Sequence, residues 1–137
     1  MEENQLIDHR DYPTLIKRIK AIFIDGTLLL VVMIIVMMLS EESPNAVEIR
    51  VSILLVLALL YEPVLTVYSA TLGQRIMNIR VRDYNDPTKR INLLQAYLRI
   101  FIKDMLGWLS FITIHSNPDR RAIHDLVASS VMVNFLN

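Results

Sequence analysis

The sequence predicts an all-α membrane protein with two transmembrane helices, a third apolar helix and a small hairpin on the cytoplasmic side. Two observations predict this fold class: 53% of the 137 residues are hydrophobic, and they are concentrated in long uncharged runs. The runs cover residues 26–39 and residues 51–72, and only Glu62 interrupts the second. With its flanking residues, each reaches the roughly 20 residues needed to cross a hydrocarbon core about 30 Å thick. Residues 1–137 are therefore predicted to form one membrane domain.

The first helix is predicted at residues 16–39, after a polar N-terminal segment at residues 1–13. A signal peptide is the other interpretation of this run, because basic residues precede it. The run is too long for a signal peptide and has no A-x-A-like cleavage site, and a second apolar run follows it. We therefore expect it to remain as a helix of the mature protein.

The second helix is predicted at residues 51–72 and contains Pro63. A proline there removes one backbone donor and frees the carbonyl of Leu59, which predicts a kink. Residues 73–99 are expected to form a short amphipathic helix and then a small hairpin, because "YNDPTKR" has the composition of a turn.

A third apolar helix is predicted at residues 100–115, and two arrangements fit it. Lys103 and Asp104 interrupt the region and leave residues 105–114 as its longest uncharged piece, which is too short to span alone. An interfacial or partly re-entrant helix is favoured. The alternative is a third span, in which both charged side chains would be buried between helices. Residues 116–137 form the C-terminal segment.

The distribution of basic residues predicts the orientation. The loop at residues 40–50 has three Glu and one Arg, whereas the segments outside the two helices are basic. The basic residues are Arg10, Lys17, Arg18 and Lys20 before the first uncharged run, and Arg75, Arg80, Arg82, Lys89, Arg90 and Arg99 after the second. The positive-inside tendency then predicts a cytoplasmic N-terminus. Beside a membrane span, the second group is expected to face anionic lipids rather than nucleic acid.

Two carboxylates lie within the apolar runs, Asp25 and Glu62. An ionised acid at such a position costs about 2.5–3.5 kcal/mol, so it is expected to face a bundle interior, water or a partner. In the structural interpretation, Asp25 fixes helix packing and Glu62 bonds the backbone that Pro63 loosens. In the functional interpretation, the two carboxylates exchange a proton for a small cation.

A polar network is expected around the first helix. Arg18 precedes Asp25 by seven residues, about 10 Å of helical rise, which is too far for a direct bridge. Both side chains are therefore expected to find partners on other segments. The C-terminal "RRAIHDLVASSVMV" is predicted to fold back and bring Asp125 close to Arg18. The other candidate members of the network are Arg75, Arg99, Asp104 and His124.

No motif for catalysis, a metal or a cofactor is evident. The chain has no cysteine, and neither His115 nor His124 has a further ligand at metal spacing except the adjacent Asp125. A phosphate-binding glycine loop and a nucleophile motif are also absent from the sequence. We therefore expect a protein that is not an enzyme and that needs no cofactor.

Three motifs in order resemble the RDD family of small bacterial membrane proteins. They are the Arg18 and Asp25 pair, "TLGQRIMNIRV" after the second helix, and "RAIHDLVASSVMV" near the C-terminus. The resemblance covers about residues 12–134. It implies that Arg18 and Asp25 are the first two residues for which the family is named, and that Asp125 is the second aspartate, with Asp104 as the alternative. The chain departs from the family at Gln74 and Asn78, where Lys and Gly are frequent.

The resemblance implies a multi-pass protein of the bacterial cytoplasmic (inner) membrane. It suggests exchange of sodium, lithium or potassium ions for protons. Because two or three helices cannot enclose a pathway, transport would require a homo-oligomer. The alternative is a non-enzymatic membrane module that scaffolds or regulates a partner membrane protein.

Overall fold

The computed structural model describes residues 12–135. Most of the polar segment predicted at residues 1–13 therefore lies outside the described residues. The fold is mostly helical: two long apolar helices extend from a smaller unit of short helices and a two-stranded sheet. The smaller unit packs against the end of the first helix that carries Arg18.

Helix α1 spans Leu15–Leu39. It begins at Thr14, whose side chain accepts a hydrogen bond from the Lys17 amide and so satisfies one of the free N–H groups of the first turn. Its 25 residues give a length of about 37 Å. The far half is exposed, and Leu39 at its end is 83% exposed. An apolar surface of this size is expected to contact lipid or another protein.

The second long helix consists of α2 (Ala46–Val56), a π-helical turn (Leu57–Tyr61) and α3 (Glu62–Tyr68). The π-helical turn ends just before Pro63, where a kink is expected from the missing backbone donor. In the described part of the chain, two helices are long and apolar enough to cross a membrane, Leu15–Leu39 and Ala46–Ile76.

Helix α4 (Leu72–Ile76) lies at the end of the stretch Ala46–Ile76, after a short break that follows α3, and leads into a sheet. Asn78 has a φ of 54°, a left-handed conformation that glycine adopts freely and that asparagine tolerates better than most other residues. Strand β1 (Ile79–Asp83) then pairs antiparallel with β2 (Ser130–Asn134).

This pairing differs from the local hairpin predicted within residues 73–99, whereas the rest of the fold is mostly helical. The partner of β1 comes from the C-terminal segment instead of from residues 73–99. The reason is local: Asn92 and Gln95 form a capping box directly after the predicted turn. The chain therefore starts a helix at this point instead of a returning strand.

The third helix also differs from its predicted bounds. Helix α5 spans Leu93–Leu106, and a 3₁₀ stretch continues from Gly107 to Ile114. Gly107 breaks the helix with a φ of 54°, which glycine adopts without steric cost. Residues 100–115 therefore do not form one helix. The short helix α6 (Ile123–Val127) then precedes β2.

A close approach between α1 and α4 positions the site. A Cβ atom at Gly73 would lie 2.1 Å from the carbonyl oxygen of Ala21, so no larger residue fits without a shift of backbone. The small core beside this contact contains Ala21, Ile79, Val81, Ile91, Ala96 and Met132. Glycine therefore lets the start of α4 lie directly against α1, next to Asp25.

Candidate functional site

A cavity of about 320 Å³ lies between α1, the second long helix, α5 and α6. Its wall combines apolar side chains with charges of both signs. Of the eight site residues predicted from the sequence, six line this cavity: Arg18, Asp25, Glu62, Arg99, Asp104 and His124. The fold thus brings together acidic and basic residues from four separate segments.

Asp125 lies behind one end of the cavity and is 0% exposed. Its Oδ2 accepts a hydrogen bond from Arg18 Nη1 at 2.7 Å and one from the Ala122 amide at 3.2 Å. Its Oδ1 lies 3.1 Å from Arg99 Nη2, which is an ion-pair distance. The predicted contact between Arg18 and Asp125 is therefore present, and one carboxylate joins α1, α5 and α6.

Two further arginines reinforce this end of the site. Arg18 Nη2 donates to the carbonyl of Arg120 at 2.6 Å. Arg121 donates to the carbonyls of Ser130 and Asp125, and its guanidinium lies 3.7 Å from the centre of the Tyr84 ring. Several backbone carbonyls around Asp125 are thus satisfied by guanidinium groups, as buried acceptors require.

The electrostatics keep Asp125 ionised. Burial raises the pKa of its carboxyl, but the positive charges of Arg99 and Arg18 outweigh this effect and hold the pKa below its usual range. Burial lowers the pKa of His124 to about 3, and the nearby cations Arg99 and Lys103 add to the shift. His124 is therefore neutral at pH 7, with its ring edge-to-face against Phe111.

Asp25, at the other end of the cavity, is held by neutral groups. It accepts hydrogen bonds from the hydroxyls of Tyr61 at 2.9 Å and Thr71 at 2.6 Å, and from the Gly73 amide at 2.8 Å. The Gly73 amide belongs to the first turn of α4 and has no partner within its own helix. Asp25 therefore fixes the start of α4 against α1.

The partners predicted for Asp25 need correction. Within residues 12–135, none of Arg75, Arg99, His124 and Asp125 forms a hydrogen bond or an ion pair with it. Arg75 is exposed and does not line the cavity. The turn between α3 and α4 instead brings neutral donors close to Asp25. Because these donors carry no charge, the distribution of charged residues in the sequence does not indicate them.

Glu62 forms an ion pair with Lys103 of α5. Its side chain therefore pairs with a charge. This differs from the structural interpretation, in which Glu62 bonds to the backbone near Pro63. The Thr66 hydroxyl donates to the Glu62 carbonyl at 2.6 Å. Asp104 is exposed where the cavity opens. Of the two candidates for the second family aspartate, Asp125 is the one that contacts Arg18.

Four further residues belong to the site and were not predicted from the sequence: Tyr61, Thr71, Gly73 and Lys103. A usable signal existed for one of them, because Thr71 and Gln74 have the spacing of a capping box and form one. This spacing indicates a helix start, and such a start offers free amides. In the described part of the chain, no group of three His, Asp or Glu side chains is arranged to hold a metal ion.

The charges are unevenly distributed along the cavity. Around it, four carboxylates (Asp25, Glu62, Asp104, Asp125) face three basic groups (Arg18, Arg99, Lys103). Formally this leaves one negative charge in excess. The basic groups lie near Asp125 and Glu62, so the excess negative charge is at the Asp25 end and at the exposed Asp104.

Comparison with known proteins identifies the family. The model of the RDD family matches residues 12–129, which is most of the chain. No curated protein and no solved structure matches it significantly. The chain belongs to the RDD family. Together with its two long apolar helices, this family membership indicates a small membrane protein.

Proposed function

We propose that this member of the RDD family exchanges an alkali cation for protons across a membrane, and that Asp25 binds either one in turn. The observation that supports the proposal is the difference between the carboxylates around the cavity. Asp125 and Glu62 have basic partners, whereas Asp25 is held by neutral donors. The charge of Asp25 thus remains to be neutralised by a cation or a proton.

The groups around Asp25 suit this exchange chemically. A carboxylate offers about four lone-pair sites, and three are used here. The hydroxyls of Tyr61 and Thr71 donate to Asp25, and after rotation each can offer an oxygen to a cation. Sodium sites in transporters use such oxygen ligands beside irregular helical backbone. Glu62 is the second candidate, but the Lys103 ammonium already neutralises its charge.

Transport would also need an assembly. Two long helices are too few to surround a pathway, so we propose a homo-oligomer in which the exposed apolar faces of the long helices meet. The cavity would then open toward an interface between copies. In this arrangement, sodium, lithium or potassium ions reach Asp25 through protein rather than through lipid.

Proton flux in proteoliposomes tests the proposal. A pH-sensitive dye inside the vesicles reports proton movement when sodium, potassium or lithium chloride is added. We expect the parent to respond to at least one salt and Asp25→Asn to give no response. Glu48→Gln is the control, because this exposed residue of α2 does not line the cavity. A parent that is inert under all three gradients would refute transport.

A second candidate function is a non-enzymatic membrane module that scaffolds or regulates a partner. The three hydrogen bonds to Asp25 support it, since they join α1, α4 and the second long helix as a packing contact would. Under this hypothesis, Asp25→Asn weakens the assembly in detergent, and the parent shows no cation-dependent proton flux.

We further propose a location in the bacterial cytoplasmic membrane, with the N-terminus and the sheet inside and residues 40–50 outside. The basic residues near the sheet and the Glu-rich loop support this orientation. The chain has no cysteine, so single cysteines can be labelled with an impermeant reagent on intact cells. Labelling of Asn85→Cys without labelling of Ser43→Cys would reverse the proposed orientation.

A further inference from the structure

An apolar groove adjoins the polar cavity on the side of α1 and the 3₁₀ stretch. Its volume is about 660 Å³. The apolar lining residues are Leu15, Ile19, Ile22, Trp108 and Phe111. Ile22, Lys103, Asp104 and Phe111 line both spaces, so the groove and the cavity meet there. Both volumes are within the range of about 300–1,000 Å³ typical of ligand pockets.

A buried donor at the cavity wall lacks a partner. Arg99 is 5% exposed and lines the cavity. Its Nη2 faces Asp125, but its Nη1 has no hydrogen-bond acceptor among residues 12–135. An unsatisfied buried donor destabilises the fold, and more so when it is charged. Because Arg99 lines the cavity, a small rotation of its guanidinium would let an acceptor in the cavity satisfy this donor.

The local charge indicates that this acceptor is an anion. At the Arg99 end, three basic groups (Arg18, Arg99, Lys103) face two carboxylates (Asp125, Glu62). One positive charge is in excess here, in contrast to the Asp25 end. Lys103 carries three N–H donors and can contact Glu62 and a further oxygen together. Asp104 is exposed, and solvent screens its charge.

We propose that this site binds one membrane phospholipid, with its phosphate oxygens against Arg99 Nη1 and Lys103 and one acyl chain in the apolar groove. The height of the groove on α1 fits this ligand. Leu15 and Ile22 are seven residues apart on α1, about 10 Å of rise. In a membrane-spanning α1, the groove therefore extends from the headgroup level into the outer part of the hydrocarbon core, where the first carbons of an acyl chain lie.

The lipid site does not depend on the proposed ion exchange, because the phosphate binds at the Arg99 end of the cavity and does not contact Asp25. Lipid binding can therefore be measured without any flux. Three probes separate the parts of the ligand: phosphatidylglycerol, a diacylglycerol with the same chains, and inorganic phosphate alone. Binding to the purified detergent-solubilised chain is followed by native mass spectrometry and by the shift in unfolding temperature.

We expect one phosphatidylglycerol to bind per chain and to raise the unfolding temperature, and we expect neither other probe to do so. Arg99→Lys keeps a cation beside Asp125 but removes Nη1, and Ile19→Trp fills the groove. Each should weaken phosphatidylglycerol binding about tenfold or more. The matched controls are Arg75→Lys and Ile16→Trp, two exposed positions that line neither space.

The following results would overturn the proposal. Equal binding of the diacylglycerol would mean that the phosphate is not recognised. Equal binding of inorganic phosphate would mean an anion site without a lipid. Equal losses in the control and test variants would mean general lipid adsorption. If Arg99→Lys does not fold, Lys103→Gln replaces it, and unchanged affinity in that variant would likewise contradict the site.

Discussion

Asp25 and Asp125 are held at opposite ends of one polar region by different chemistry. Asp125 is fully buried between the guanidinium groups of Arg18 and Arg99. Asp25 is partly buried and accepts hydrogen bonds from two hydroxyls and one amide. The Asp125 carboxylate thus has its counter-charges within the fold, whereas the Asp25 carboxylate has hydrogen-bond donors but no basic partner among residues 12–135.

The largest expected effect is at the Asp125 end. Asp125→Leu leaves two buried guanidinium groups without a counter-charge and should lower the free energy of unfolding by about 3–5 kcal/mol. Arg18→Leu should have a similar effect. The double variant should lose less than the sum of the two, because each single loss contains the cost of an unpaired charge. Chemical denaturation in detergent measures all three, and strictly additive losses would contradict the pairing.

The pH dependence of stability should come mainly from His124. Its pKa is about 3 in the folded chain and near 6.5 when unfolded, so only the unfolded chain takes up this proton between these values. The free energy of unfolding should therefore fall as the pH decreases from about 6.5 toward 3, by on the order of a few kcal/mol. The lowered pKa of Asp125 acts in the same direction, but only below about pH 4.

Replacing this histidine isolates its contribution. His124→Phe has no titrating ring, so its unfolding midpoint should change less between pH 7 and pH 4 than that of the parent. His115→Phe is the control, because His115 is exposed. Parent and His124→Phe curves that stay parallel over this range would mean that His124 is not buried as a neutral ring.

An intermediate effect is expected where Asp25 meets α4. Gly73→Ala places a Cβ against the Ala21 carbonyl and displaces the amide that donates to Asp25, so a loss of about 1–3 kcal/mol is expected. Gly26→Ala is the matched control on α1, since its Cβ would meet nothing within 4 Å. Equal unfolding temperatures for the two variants would show that the approach of α4 to α1 is looser than described.

The smallest effect is expected from a single donor at Asp25. Tyr61→Phe removes one hydroxyl and leaves Thr71 and Gly73 bonded to the carboxylate, so about 1 kcal/mol should be lost. Tyr68→Phe is the control, because Tyr68 is exposed on α3. A loss as large as that of Asp125→Leu would erase the difference between the two aspartates.

Local patterns predicted much of the fold, but the details depended on contacts between distant segments. The π-helical turn before Pro63 is consistent with the backbone donor that this proline lacks, and the proline is visible in the sequence. The partner strand of β1 does not follow, because Ile79 pairs with Asn134 and no short-range pattern specifies such a pairing. The start of α5 is set by the capping residues Asn92 and Gln95, which lie before the apolar stretch used to predict the helix.

The two long apolar helices, and the need for partners at Arg18 and Asp25, follow from the sequence alone. Both conclusions rest on the physics of single segments: the thickness of a hydrocarbon core and the cost of removing a charge from water. The identity of the partners of Arg18 and Asp25 depends on the tertiary structure. Opposite charge correctly suggested Asp125 for Arg18. The neutral donors of Asp25 could not be read in this way, because hydroxyls and amides become partners only when the close approach at Gly73 brings them within hydrogen-bonding distance.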